Sequence, residues 1–291
     1  MLTFLTVRGE IRQSEEQLRV QFEWRAQNEA VRFQRSLERV VEAVDSVGGY
    51  MGASEHVDDA EFALFASDAL HNHAEFRALQ WLPYITADKR PAFEVELGRV
   101  RPGARITEFR DGEMITAGMR DEYIPIRYTE PFSGNEAVFG FDAATQPSNL
   151  KSLALARDMG TMSTSGLISL VQDSGQQAVI LYRPVYGRGM PVETVDQRRD
   201  ALLGFSAGVL LIKEVLNWSL QGTPPTGLDI HILDLSATGE DQLLYRHASR
   251  SRSADERPPT LEEVRAGQHK TVNVNVPGRE WQLVFNPAPA L

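Results

Sequence analysis

Apolar positions follow two rhythms along the chain, a helical one at the start and an alternating one later. From about Arg8 to Met51 there is no proline, and apolar residues return at helical spacing at Val20, Trp24, Val31, Leu37, Val40, Val41, Val44, Val47 and Met51. The spacing predicts a single helix of about forty residues, roughly 60 Å long at 1.5 Å per residue. That is more than one small domain covers, so part of it is expected to pack on a second copy of the chain. Arg12, Glu15, Glu16, Arg19, Glu23 and Glu38 then fall on solvated or inter-helix faces; an amphipathic helix lying on its own domain is the simpler alternative. Gly48-Gly49-Tyr50-Met51-Gly52 is expected to break the helix, and Asp58-Asp59-Ala60-Glu61 to open another, with acids where a helix N-terminus favours them.

Beyond residue 77 the period shortens. Strands are expected at Ala78 to Ile85, Ala104 to Phe109, Tyr123 to Tyr128, Ala137 to Phe141 and Gln177 to Tyr186. A short helix follows a Thr86 cap, and a longer one runs from Ser148 to Met159, closed by Gly160. Arg198 to Gly204 reads as a boundary. After it come the apolar stretch Leu202 to Ile212, a short helix through Trp218 and a proline linker at Gly222 to Thr226. The end is β: Leu228 to Leu235, Gln242 to His247, then Thr271 to Val276 turning at Pro277-Gly278 into Glu280 to Phe285. Irregular alternation with short connections favours an α+β fold with antiparallel sheets over a doubly wound one. The expected division is residues 1–77 for the long helix and a helical connector, 78–200 for a first sheet and 201–291 for a second.

Composition narrows the function more than the fold. With 40 acids against 30 bases and a formal charge of -10, the chain lacks the concentrated positive charge of a nucleic-acid-binding surface. There is no cysteine, which removes disulfides, thiolate nucleophiles and thiolate-bound metals. No stretch approaches the roughly 20 apolar residues of a membrane helix. Leu2 to Val7 is read either as a short apolar start or as the stub of such a helix.

Candidate chemistry is sparse. His71 and His73 tempt as a metal pair, but residues two apart on a helix diverge and no third ligand follows, so a solvated helix end is the better reading. No nucleophile elbow or phosphate loop occurs. Glu130 and Asp142 flank a possible hairpin and could share a cleft as an acid–base pair, but each is explained more simply, Glu130 by its strand end before Pro131 and Asp142 by capping a helix. Asp142 has a further reading: a carboxylate beside Tyr123, Tyr128 and Phe141 can accept hydrogen bonds from a ligand in an apolar cage.

Ala78-Leu79-Gln80-Trp81-Leu82-Pro83, Arg90 with Phe93-Glu94, Tyr123-Ile124-Pro125-Ile126 with Glu130-Pro131, Gly140-Phe141-Asp142, Ala156-Arg157-Asp158-Met159-Gly160, Leu170-Val171 and Pro184-Val185-Tyr186 stand in an order and spacing that resemble the CHASE family of extracytoplasmic sensor domains. The resemblance implies a long N-terminal dimerising helix and two tandem PAS-like sheets, distal and proximal to the membrane, between two transmembrane helices. By analogy with the plant cytokinin receptors of that family, Asp142 looks like the ligand's polar anchor and Thr164, just past the following helix, like a second contact; Tyr123, Tyr128 and Trp81 would be walls. Those receptors lack the Gly-Phe before their acid, so a cytokinin does not carry over. The implied function is the periplasmic sensory part of an inner-membrane histidine kinase or diguanylate cyclase, non-enzymatic in itself. It would bind an unidentified small molecule, form a homodimer through the long helix, and need no catalytic residue, metal, cofactor or nucleic acid. A ligand-free dimerisation module and a hydrolase using Glu130 and Asp142 are the alternatives.

Overall fold

In the computed structural model, which describes residues 2–169, 177–222, 224–253 and 256–289, the first helix, α1, spans Leu2–Ala53 and runs through the expected break. Glycine inside a helix costs about 1 kcal/mol, and at Gly48 close packing accounts for it. A Cβ there would stand 2.4 Å from Arg183 Cδ and 2.7 Å from Ser206 Oγ. Gly48 lets a strand approach the helix; it does not end it.

The chain forms two compact units, one comprising α1 up to Ser36, Leu216–Asn275 and the strand from Glu280, the other Leu37–Val215 with the turn Val276–Arg279. In the first of these, α1 buries Phe22, Ala26, Ala30 and Phe33, and in the second Leu37, Val40, Val44, Val47 and Met51. Val20, Trp24 and Val31 lie off that stripe and are exposed.

The larger unit continues with α2 (Asp59–His71), whose start is fixed by a capping box between Asp58 and Glu61. Then follow β1 (Phe76–Pro83), β2 (Ile85–Thr86), α3 (Arg90–Val100), β3 (Thr107–Arg110), β4 (Glu113–Thr116), β5 (Glu122–Tyr123), β6 (Tyr128–Glu130), α4 (Pro147–Met159), β7 (Ser163–Thr164), β8 (Ile168–Ser169), β9 (Gln177–Tyr186), α5 (Val195–Ala201) and β10 (Leu202–Leu211). Gly160, at φ 69, closes α4 as its position predicts. The main sheet is antiparallel in the order β6-β1-β10-β9-β7, with β8 also on β9. Since β10 pairs with both β1 and β9, the sheet does not end at residue 200; the expected boundary there cuts through it.

Three local expectations are corrected. Thr86 caps nothing: α3 begins at Arg90, with Pro91 in its first turn and no side-chain cap. Tyr123 to Tyr128 is two short strands, because Pro125 has no N–H and the residues between bond to two different partners, Ile126 N–H to Phe141 O and Arg127 N–H to Trp81 O. Ala137 to Phe141 is a 3-10 turn and loop, held by Gly140 N–H to Ile126 O at 2.8 Å. Leu170 and Val171 lie outside the described residues.

After α6 (Ile212–Ser219), the smaller unit carries β11 (Leu228–Asp234), β12 (Leu243–His247), α7 (Leu261–Ala266), β13 (Lys270–Val276) and β14 (Arg279–Pro287), with sheet order β12-β11-β14-β13. Val264 of α7 packs on Leu233 and Val284, and the hairpin turns at Gly278, φ 71, where the sequence places it. Among the described residues no helix is long and apolar enough to cross a membrane.

Gly140 tests how closely the loop is packed. It sits at φ 81, and a Cβ would meet Arg105 O at 2.5 Å; Gly112, at φ 88, has open space around it. Gly112→Ala is expected to cost about 1–2 kcal/mol of left-handed strain, and Gly140→Ala to cost more than that because a backbone carbonyl must also move. Equal urea midpoints for the two variants would refute this reading.

Candidate functional site

Period-two alternation in three paired strands sets up the site. The register aligns Gln80 of β1, Ala207 of β10 and Tyr182 of β9 in one row across the sheet, with Ala78, Val209 and Ile180 in the next row on the same face. The middle strand offers only the methyl of Ala207 between two large polar side chains; Ala207 is itself fully buried, and the hollow on this face is lined by Gln80, Ile180, Tyr182 and Val209. Helix α4 covers the same face, with Leu153 and Ala156 in the core and Ser148 and Asn149 at the hollow. The loop after β6 adds Asn135, Val138, Phe141 and Ala143, and Ile126, Leu167 and Ile168 complete the wall. The β3–β4 hairpin brings in Phe109 and Met114, both partly exposed. The result is a cavity of about 370 Å³, in the range that small molecules occupy.

Its polar groups are few and mostly uncharged. Gln80 Nε2 donates to Thr129 Oγ1 at 3.4 Å, and Asn135 Nδ2 to Pro131 O at 2.7 Å. Two atoms differ from these: Asn149 Oδ1 and the Tyr182 hydroxyl are buried and meet no hydrogen-bond partner in the protein. Burial pushes the Tyr182 phenol well above its ordinary range, so it stays protonated and can donate. Among the described lining residues Arg77 has the only formal charge, and its Nη2 donates to Gly134 O at 3.2 Å.

None of the five residues expected at the site lines this cavity. Asp142 is fully buried, and its carboxylate is spent inside the protein. Oδ1 accepts from Ile124 N–H at 3.0 Å and from Ala144 N–H at 3.1 Å, while Oδ2 pairs with Arg120 at 2.7 Å. It caps the short turn Ala143–Thr145, the simpler of its two sequence readings, although its chain neighbours Phe141 and Ala143 do reach the cavity. Tyr123 is core: its hydroxyl accepts from Arg90 Nη1 at 2.9 Å and Arg120 N–H at 2.7 Å, and donates to Gly118 O at 3.0 Å. Tyr128 stacks on Phe62 and donates to Val57 O at 2.6 Å. Trp81 lies next to Gln80 on β1, and alternation turns it to the opposite sheet face. Thr164, on β7, is buried opposite Leu181; its N–H donates to Pro277 O, its carbonyl accepts from Ser152, and its hydroxyl has no partner.

Neither Glu130 nor Asp142 reaches the cavity, so the structure does not assemble the acid–base pair there. Glu130 is held above the usual carboxylate range by burial at the sheet edge. His71 ends α2 with His73 just beyond, and no group of three acids or imidazoles converges among the described residues. Gln80 and Tyr182 were within reach of the sequence: counting by twos from Ala78 and from Ile180 puts both on the apolar face of their strands. Asn149 stands in the Ser148-Asn149-Leu150 opening of α4 and carried no signal of its own. Phe109 and Met114 flank Asp111-Gly112, a hairpin dipeptide whose positive φ angles of 53 and 88 the turn requires.

With the geometry in place, comparison with known proteins adds the family context. The CHASE domain profile matches residues 55–245. A hybrid signal transduction histidine kinase A of Dictyostelium discoideum is 25% identical over 249 residues, which cover 78% of this chain and 11% of that protein. The chain therefore spans about a ninth of the relative's length. Among solved structures, an extracellular ligand binding receptor from Desulfohalobium retbaense aligns with TM-score 0.51 and 11% identity, covering 91% of this chain and 40% of that one. The ligand binding domain of a Pseudomonas aeruginosa amino acid chemoreceptor in complex with L-Arg aligns with TM-score 0.50 and 12% identity, covering 95% and 96%. The shared fold is that of sensor ligand-binding domains.

The two polar roles separate by mutation. Asp142→Ala removes three buried acceptor contacts, one of them to a guanidinium, and should lower the unfolding free energy by about 3 kcal/mol. Tyr182→Phe deletes a hydroxyl with no partner in the protein, and in buffer alone should leave stability unchanged or raised. Urea titration followed by circular dichroism reads both; a Tyr182→Phe midpoint well below the parent's would show that the hydroxyl is part of the fold's support.

Proposed function

The chain belongs to the CHASE domain family, and we propose that it is the extracytoplasmic sensory part of a membrane receptor, binding a small molecule in the cavity of its larger unit and passing occupancy to helix α1. The observation that carries this reading is the cavity itself, built on one face of a sheet whose other face holds α1. Ser206 and Gly208 flank Ala207 on β10 and face the helix: Ser206 Oγ donates to Val44 O at 3.0 Å, and a Cβ on Gly208 would meet Val44 Cγ2 at 2.6 Å. Arg183, next to Tyr182, pairs with Asp45 of α1 at 2.5 Å. A molecule seated on Tyr182 and Val209 therefore presses on residues next in the chain to those that grip the helix, Arg183 and Gly208.

The output is a cytoplasmic histidine kinase or diguanylate cyclase in a longer membrane-anchored protein, a reading supported by the histidine kinase relative, of which this chain covers only 11%. Dimerisation through α1 completes the reading. Exposed Val20, Trp24 and Val31 stand four and seven residues apart, the spacing of a coiled-coil seam.

Ligand binding is tested by thermal unfolding with a panel of small metabolites, where a compound at a hundred times its Kd should add about 2.7 kcal/mol. Val209→Phe, which fills the cavity from the sheet side, should abolish that shift while the variant still unfolds cooperatively; an undiminished shift would place binding elsewhere. For the dimer, sedimentation equilibrium of the parent and of Val20→Glu/Trp24→Glu is decisive. The parent should be dimeric and the double variant monomeric, and a monomeric parent at about 100 μM, where a Kd of 1 μM gives mostly dimer, would sink the idea.

A further inference from the structure

We infer that the cavity selects an uncharged, largely apolar molecule whose polar edge carries one hydrogen-bond donor and one acceptor, and that it rejects amino-acid zwitterions and other ammonium compounds. The inference rests on the reading of the cavity as a binding site and adds the chemistry of what fits. Asn149 and Tyr182 are 5% and 1% exposed, yet Asn149 Oδ1 and the Tyr182 hydroxyl have no partner in the protein. Their senses are opposite. The amide oxygen only accepts, and the phenol is free to donate. A primary amide, lactam or similar group offers an N–H and a C=O side by side and answers both.

Charge decides against an amino acid. An ammonium group taken out of water needs a carboxylate or several oriented carbonyls beside it, and none of the described lining residues is acidic. Of the acids next in the chain to lining residues, Glu108 and Asp142 are both paired with Arg120, and Glu113 and Glu136 are exposed to water and do not line the cavity. Arg77 offers one positive charge, but it is half-buried at the edge and already bonded to Gly134 O, so it does not supply a dry bidentate cradle for an anion. Leu82, Ile126, Phe141, Ile180 and Val209 leave the remaining wall apolar.

Four aromatic probes separate the possibilities: benzamide, benzoate and benzylammonium, which are of nearly equal size, and the larger phenylalanine, each titrated into the full chain at pH 7 by calorimetry or ligand-observed NMR. Benzamide is expected to bind most tightly, with Tyr182→Phe and Asn149→Leu each weakening it about tenfold and Tyr182→Phe keeping the parent's unfolding midpoint. Phenylalanine, benzylammonium or benzoate binding as tightly as benzamide, with Val209→Phe abolishing it, would overturn the uncharged class while upholding the cavity as a site. Benzamide binding that ignores both polar substitutions would overturn the assignment of Asn149 and Tyr182. Failure of all four probes at millimolar concentration would count against this inference and the binding reading together.

Discussion

The pairing of β10 between β1 and β9 is the constraint on which the rest of the larger unit depends. Its register joins Gln80 to Ala207 to Tyr182 and, one residue on, Trp81 to Ser206 to Arg183. The first row faces the cavity and the second the helix. A slip of one residue would exchange the two faces, sending Ser206 and Gly208 under α4 and pushing Ala207 and Val209 into α1. Small residues alternate on β10 for different reasons. Ala207 packs into the core under α4, whereas Gly208 leaves space for Val44 and Phe76, which a Cβ would meet at 2.6 and 2.5 Å. The same strand lines the cavity at Val209 on one side and makes a close contact on the other.

Charge supports this arrangement from behind the cavity. Glu108, Arg120 and Asp142 form a chain in which the Arg120 hydrogen bond, outweighing burial, holds Glu108 below the usual carboxylate range, and Asp142 satisfies two backbone amides. Arg120 keeps 37% of its side chain exposed, so its ion pairs are softened by water; the backbone bonds to a wholly buried carboxylate are not. They tie the turn after Gly140 to the segment at Ile124 and so fix Phe141 and Ala143 at the cavity wall. Asp142 shapes the site without entering it.

This division explains what the sequence disclosed and what it did not. Element types with strong local causes were readable: the helix start at Asp58, the Gly160 stop, the Pro277-Gly278 hairpin, the apolar run of Gln177 to Tyr186 and the long helix all follow from nearest neighbours in the chain. Gly48 near the end of α1 misled, because its reason lies in Arg183 and Ser206, 135 or more positions away. Asp142 likewise depends on distant partners. The sequence offers it both as a ligand anchor and as a cap, and only the fold shows Arg120, 22 residues earlier, on its carboxylate. Whether a polar residue is a site or a strut depends on which partner reaches it first, and that is a property of tertiary register, not of spacing along the chain.

The same criterion separates Asn149 and Tyr182 from Gln80, Asn135 and Arg77 on the cavity wall. Gln80, Asn135 and Arg77 each have a partner in the protein, and a ligand contacting them would exchange one hydrogen bond for another at little net gain. A buried atom without a partner costs about 1–3 kcal/mol, so supplying its hydrogen bond recovers most of that cost, and a ligand lacking the matching group recovers none. Selectivity built this way is sharp without charge, since a molecule that fits the apolar walls but lacks the donor or acceptor still leaves a polar group unpaired. It also places the discriminating contact on β9 at Tyr182, adjacent in the chain to the Arg183–Asp45 pair with α1. On the proposed reading, recognition and transmission are then one residue apart on a single strand, and the stiffness of the packed sheet between them carries the signal.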